Sequence, residues 1–61
     1  MRVRDFRVNR RDKAVVLARI LIEAYAWFEF TPLPNGEYRF TVKDEQPLVG
    51  SIRGLGIAEE G

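Results

Sequence analysis

The sequence predicts a small α+β domain of order β-α-β-β-α, in which a three-stranded sheet carries one long helix on one face. Two observations predict this fold. One long apolar pattern of helical period runs from Asn9 to Trp27, and apolar and polar residues alternate on both sides of the sequence LPNG at 33–36. The 61 residues allow one domain, predicted over 1–56, followed by a flexible tail over 57–61.

The first strand is predicted at 2–8, ahead of the helix. Phe6 and Val8 alternate there with charged residues, as expected of a strand with one face in water. Asn9 follows as a suitable N-cap, and Asp12 is placed to interact with the positive end of the helix.

The helix carries more apolar residues than one sheet can cover. On a helical wheel, Leu17, Leu21 and Tyr25 share the face predicted to pack on the sheet. Both flanks are also apolar, where a surface helix is normally polar. We therefore predict a protein interface with the candidate residues Val15, Val16, Ile20, Ile22 and Trp27. The C-terminal segment is expected to cover one flank, and a partner subunit the other.

A β-hairpin is predicted after the helix. The LPNG sequence suits a type I turn followed by a glycine in the left-handed region, which gives a three-residue loop with a bulge. This loop places Phe30 opposite Phe40 and Phe28 opposite Val42, so that all four side chains share one face. A two-residue loop would shift the register by one residue and expose aromatic side chains, so burial favours the longer loop.

A second, two-turn helix is predicted from Pro47 to Leu55, because Leu48, Val49 and Ile52 fall on one side of it. A right-handed crossover would make the first two strands parallel, with the third between them. This arrangement resembles a ferredoxin-like topology that lacks its last strand. The resemblance implies an open edge on the first strand, which is a pairing site unless arginines protect it.

The composition argues against catalysis. The chain has no histidine and no cysteine, which removes the commonest general base, the best thiol nucleophile and the usual zinc ligands. So short a chain can hardly enclose a pocket for a small-molecule substrate. We therefore expect a protein that is not an enzyme, with no catalytic residues, no metal and no cofactor.

Size and hydropathy bear on location and assembly. No apolar run is long enough to cross a bilayer, so no membrane association is expected. The lack of cysteine is typical of the reducing cytoplasm, where we expect the protein. A chain of this size buries only about 60% of its unfolded surface. Either association with a second copy or a larger protein, or an unusually efficient core, is therefore expected to stabilise it.

Charge is unevenly distributed, although the net charge is +1. Residues 1–13 carry six basic and two acidic side chains, whereas residues 44–61 carry one basic and four acidic ones. The basic segment predicts a candidate anion or nucleic-acid site formed by Arg2, Arg4, Arg7, Arg10, Arg11 and Lys13. The simpler interpretation is a solvated surface that protects an edge strand, and the acidic tail would compete with phosphate.

The aromatic residues have two interpretations. Trp27, Phe28, Phe30, Tyr38 and Phe40 could form a stacking platform for bases. A core beneath the helix is favoured, because these residues share the face that the helix needs and the opposite face of the hairpin carries no aromatic residue. Trp27, at the junction of helix and strand, is instead a candidate interface anchor.

The favoured hypothesis is a small non-enzymatic protein-interaction module, acting as a homodimer, an adaptor or an inhibitor of a larger protein. The alternative is a nucleic-acid-binding accessory protein that uses the basic N-terminal segment. A third hypothesis is a subunit that folds only inside a larger assembly, which cooperative unfolding of the isolated chain would contradict.

Overall fold

The computed structural model describes residues 2–60, which form a four-stranded antiparallel sheet and two α-helices. The elements are β1 (Val3–Val8), α1 (Arg11–Glu23), β2 (Phe28–Pro32), β3 (Tyr38–Lys43), α2 (Gln46–Gly54) and β4 (Ala58–Glu59). The strand order is β2-β3-β1-β4. Because β3 lies between β1 and β2 and is antiparallel to both, β1 and β2 are parallel, as predicted.

The sheet has a fourth strand, so the predicted three-stranded sheet is wrong. β4 pairs antiparallel with β1, with Glu59 opposite Phe6 and Ala58 opposite Arg7. The connectivity is therefore β-α-β-β-α-β, which matches the ferredoxin-like topology with its last strand present. The predicted open edge on β1 is covered by β4 at these two positions, and β2 is left as the long edge strand of the sheet.

The chain end differs from the flexible tail predicted over 57–61. Ile57 is only 6% exposed and belongs to the core, and the Glu60 N–H donates to the Asp5 carbonyl at 2.8 Å. Gly61 lies outside the described residues. A strand of two residues is too short to show the alternation by which strands are recognised in a sequence, so this segment carried no local signal.

Helix α1 is shorter than the pattern from Asn9 to Trp27 predicted. It begins at Arg11 after an N-cap at Arg10 that makes no side-chain capping bond. At its C-terminal end, the N–H groups of Tyr25 and Ala26 donate to the carbonyls of Ile22 and Leu21 at 3.0 and 2.9 Å. This is the Schellman pattern, which ends a helix by placing one residue in the left-handed region.

Tyr25 is that residue, with φ of 53°. Its side chain is 96% exposed, so the prediction that Tyr25 packs on the sheet is wrong. The reason is that the chain must leave the helix here in order to enter β2, and the turn directs the ring into solvent.

The hairpin has the predicted register. Phe30 lies opposite Phe40, and Phe28 opposite Val42. Gly36 has φ of +85°, which is the left-handed conformation that the three-residue loop requires. The Leu33 N–H donates to the Glu37 carbonyl at 2.8 Å and closes the loop.

Both helices contribute to the core on one face of the sheet. Predicted Leu17 and Leu21 of α1 are fully buried, and the predicted second helix is confirmed as α2. The buried hydrophobic residues are Phe6, Val8, Ala14, Leu17, Leu21, Phe40, Val42, Leu48, Val49, Ile52 and Ile57. Of the aromatic residues predicted as core, Phe40 is fully buried, whereas Phe30 is 47% exposed.

A candidate interaction surface

One flank of α1 is open to solvent. Val15 and Ile22, seven residues apart on this flank, are 60% and 63% exposed. A groove of about 470 Å³ separates the flank from β2. Its lining is mainly apolar and consists of Arg11, Ala14, Val15, Ala18, Phe28, Phe30 and Tyr38. Contiguous exposed apolar residues of this kind mark interaction sites more often than isolated ones do.

The opposite wall of the groove is a cluster of stacked aromatic rings. The Phe30 ring stacks on Tyr38 at 5.5 Å between centroids and meets Phe40 edge-on at 5.2 Å. Phe28 stacks on Phe40 at 6.1 Å. Because Phe40 is fully buried, the exposed Phe30 ring is held by a continuous aromatic contact that reaches the core. A rigid exposed aromatic ring is suited to anchor an interface.

Sequence reasoning missed Phe30 as a surface residue, whereas Phe28 is half-buried and packs against the core. Their alternation is the same as that of Phe40 and Val42, so no local signal separates an edge strand from a central one. The available signal was topological, since a third strand between the first two places β2 at an edge. We call Val15, Ile22, Phe28 and Phe30, together with the free edge of β2, the groove surface.

The other flank of α1 faces α2, which covers it in part. Val16 is 46% exposed and borders a small cavity with Lys13 and Leu55. Ile20 is half-buried, and with Trp27 it lines a second groove of about 480 Å³ where α1 ends and α2 begins. The predicted interface residues are thus divided between two surfaces, with Val15 and Ile22 on the open flank and the other three beside α2.

The predicted basic site is occupied in part by the acidic end of the same chain. Arg4 contacts Asp44 at 2.8 Å and Glu59 at 2.9 Å. Arg7 contacts Glu60 at 2.7 Å and Glu37 at 3.6 Å. The basic segment 1–13 and the acidic segment 44–61 therefore meet where β4 pairs with β1.

Two further basic residues join these contacts. Arg39 of β3 donates two hydrogen bonds to Glu60, at 2.9 and 3.0 Å. Arg53 at the end of α2 contacts Glu59 at 3.1 Å. Each of the two glutamates at the chain end thus bridges arginines from two different elements. Arg2 and Arg11 are exposed, Lys13 is half-buried, and Arg10 pairs with Asp12 at 3.0 Å.

These contacts change the acidity of the paired groups. Hydrogen bonds from Arg53 and Arg4 lower the pKa of Glu59, and hydrogen bonds from Arg39 and Arg7 together with their positive charges lower the pKa of Glu60. Hydrogen bonds to Asp44 and Glu59 raise the pKa of the Arg4 guanidinium, and Glu60 does the same to the pKa of Arg39. The acidic chain end is therefore held in its ionised form.

Residues 2–60 contain neither a cluster of potential metal ligands nor a membrane-spanning helix. No three acidic side chains in this part of the chain lie close enough together to hold a metal ion. No helix within it is long and apolar enough to span a bilayer.

The chain has no significant match among protein-family models, among curated proteins or among solved structures.

Proposed function

We propose that the chain is a small, non-enzymatic protein-interaction module that binds a second copy of itself through the groove surface. One observation carries the proposal: the ring of Phe30, 47% exposed on the edge strand, lies across an apolar groove from Val15, which is 60% exposed. The two walls of this groove come from the consecutive elements α1 and β2, and they present apolar side chains that no other described part of the chain covers.

The energetics of a short chain favour such an association. The solvent-accessible surface is 4254 Å², and an interface of ordinary size removes about 800 Å² from each partner. Covering Val15, Ile22 and Phe30 adds hydrophobic stabilisation of about 25 cal/mol for each Å² removed from water. A domain of this length has few other sources of stability, since the chain contains no cysteine for disulfides.

The nucleic-acid hypothesis has weaker support. Arg4 and Arg7 already contact Glu59 and Glu60, so phosphate groups would have to displace carboxylates that are covalently part of the chain. The apolar groove surface, in contrast, has no competing segment beside it in the described residues. Self-association is therefore the function that we favour.

The test compares two neighbouring valines. Val15→Asp places a carboxylate in the proposed interface and should weaken dimerisation on the order of 100-fold, because a buried charge without a partner is strongly unfavourable. Val16→Asp makes the same change one residue along, on the flank beside α2, and should change the dimer dissociation constant by less than about threefold. Light scattering over a range of concentrations measures the mass, which for the dimer is twice 7.1 kDa.

Circular dichroism of both variants controls for folding. Val15 and Val16 are 60% and 46% exposed, so neither substitution should unfold the domain. A wild-type mass of 7.1 kDa at millimolar concentration would contradict self-association. Equal loss of dimer in both variants would contradict the groove surface as its site.

A further inference from the structure

The free edge of β2 has a definite hydrogen-bonding pattern. The Leu33 N–H bonds to the Glu37 carbonyl across the hairpin, and bonded pairs alternate along an antiparallel ladder. With the observed register, the peptide groups of Thr31 and Glu29 therefore bond to β3. Those of Phe28, Phe30 and Pro32 point away from β3, towards solvent, and proline has no N–H to donate.

Three symmetric registers pair at least three residues of this edge with the same edge of a second copy. A two-fold axis can lie at position 29, 30 or 31 of β2. An axis at Phe30 allows four hydrogen bonds, two between the Phe30 residues and one from each Phe28 N–H to the Pro32 carbonyl of the second copy. An axis at Glu29 also allows four. An axis at Thr31 allows only two, because each bonded pair then contains Pro32.

Charge separates the two registers that have four bonds. An axis at Glu29 places the two Glu29 side chains directly opposite each other, and like charges in that position are destabilising. An axis at Phe30 places Glu29 opposite Thr31 of the second copy. On the other face of the sheet it brings the two Phe30 side chains together and sets Phe28 opposite Pro32. The Phe30 register therefore combines the most hydrogen bonds with no opposed charges.

The same register closes the groove. The walls of each groove are the open flank of α1 and the helix-facing side chains of β2. Joining two β2 edges brings the two grooves together and turns the exposed flank of each α1, with Val15 and Ile22, towards the other copy. A strand edge alone is smaller than an ordinary interface of about 800 Å² per partner, so burial of these flanks is needed as well.

We infer that two copies join β2 to β2, antiparallel about a two-fold axis at Phe30, to form one continuous eight-stranded sheet. This inference rests on the proposed self-association and specifies its geometry. Edge-to-edge pairing of this kind is the expected fate of a long free edge strand, and the chain has only Pro32 and Glu29 on β2 to limit it.

Single cysteines test the register, because the chain contains none of its own. In the proposed register the two Phe30 Cα atoms are about 5.5 Å apart, and Glu29 and Thr31 of opposite copies about 4.5 Å apart. Both distances permit a disulfide. Phe30→Cys should therefore form a disulfide dimer on mild oxidation. A mixture of Glu29→Cys and Thr31→Cys should form mainly the mixed dimer.

The Phe30→Cys experiment and the mixed-dimer experiment control for each other. Phe30→Cys keeps the charge of Glu29, and the mixed pair keeps the aromatic ring. Identical copies of Thr31→Cys, which keep the charge of Glu29, should cross-link at least tenfold more slowly, because like positions are about 7–8 Å apart in this register. The surface variant Val16→Cys gives the background rate of cross-linking by random collision.

Each outcome is decisive. Dominant self-cross-linking of Thr31→Cys, or a dimer of Phe30→Cys that does not cross-link above background, would overturn the Phe30 register. A dimer by light scattering with no cross-link above the Val16→Cys background would overturn edge pairing while leaving self-association intact. A monomer at all concentrations would overturn both.

Discussion

Val15 and Val16 are identical residues that have different surroundings. They are neighbours on α1, and both are exposed, at 60% and 46%. Val15 borders the groove beside β2, whereas Val16 borders a small cavity beside α2. The helical period places them on opposite flanks, and this much follows from the sequence. Which flank α2 approaches follows only from the packing of the whole chain.

Ile57 is the residue that fixes the chain end. Its side chain is 6% exposed, comparable to core residue Ile52 at 0%. Ile57→Ala should lower the free energy of unfolding by about 2–4 kcal/mol, as expected for a buried aliphatic side chain. The milder Ile57→Val should lower the free energy of unfolding by about 0.5–1.5 kcal/mol, and it provides a measurable value if the alanine variant does not fold. Denaturant unfolding with Ile52→Ala as reference measures both.

A loss below about 0.5 kcal/mol for Ile57→Ala is the value expected at an exposed surface position. Such a result would favour the flexible tail that the sequence alone predicts, and would contradict the docking of this segment before β4.

At the level of the elements, three chain reversals within residues 2–60 use a left-handed residue, which is a glycine at Gly36 and Gly56 but a tyrosine at Tyr25. The hairpin places Gly36 at φ of +85°, and the end of α1 places Tyr25 at φ of 53°. Glycine adopts this region without a steric penalty, whereas a residue with a side chain is strained there. The helix end at Tyr25 is therefore a local weakness, and its 96% exposed ring gains nothing from burial.

Introducing glycine at Tyr25 and removing it at Gly36 should change the free energy of unfolding in opposite directions. Tyr25→Gly should raise the free energy of unfolding by about 0.5–1 kcal/mol, because relief of strain exceeds the added backbone entropy. Gly36→Ala should lower it by about 1 kcal/mol, because alanine is strained at positive φ although no atom lies within 4 Å of its Cβ. Both values come from denaturant unfolding. Loss of stability in Tyr25→Gly would show that the ring makes a stabilising contact.

Across the whole molecule, the two charged ends of the chain neutralise each other. Glu59 and Glu60 contact arginines of β1, β3 and α2, and so hold the last strand in place. The pKa of each glutamate is lowered in the folded state. By linkage, their stabilising contribution is complete above the unfolded pKa of about 4.3 and is lost as the pH falls below it.

The unfolding midpoint in denaturant should therefore decrease as the pH is lowered from about 6 to about 3. Glu59→Gln combined with Glu60→Gln should remove part of this pH dependence, because amides do not titrate. High salt should reduce the difference between the variant and the wild type, since these ion pairs are partly exposed and open to screening. An identical pH profile in the double variant would contradict a role for the chain end.

The sequence by itself determined the features that depend on neighbouring residues. The hairpin register follows from the turn at 33–36 and the alternation around it, and the core faces of α1 and α2 follow from helical period. The excess of apolar residues on α1 also follows from the sequence, and two of these residues, Val15 and Ile22, are exposed.

Only the tertiary structure decided where the sheet ends. The predicted free edge was on β1, but β4 occupies it, and the long free edge belongs to β2. The physical reason is that edge and central strands share the same alternation, so their difference lies in pairing between residues far apart in the sequence. Two residues of β4 and the burial of Ile57 settle this pairing, and they leave Phe30 beside the open groove.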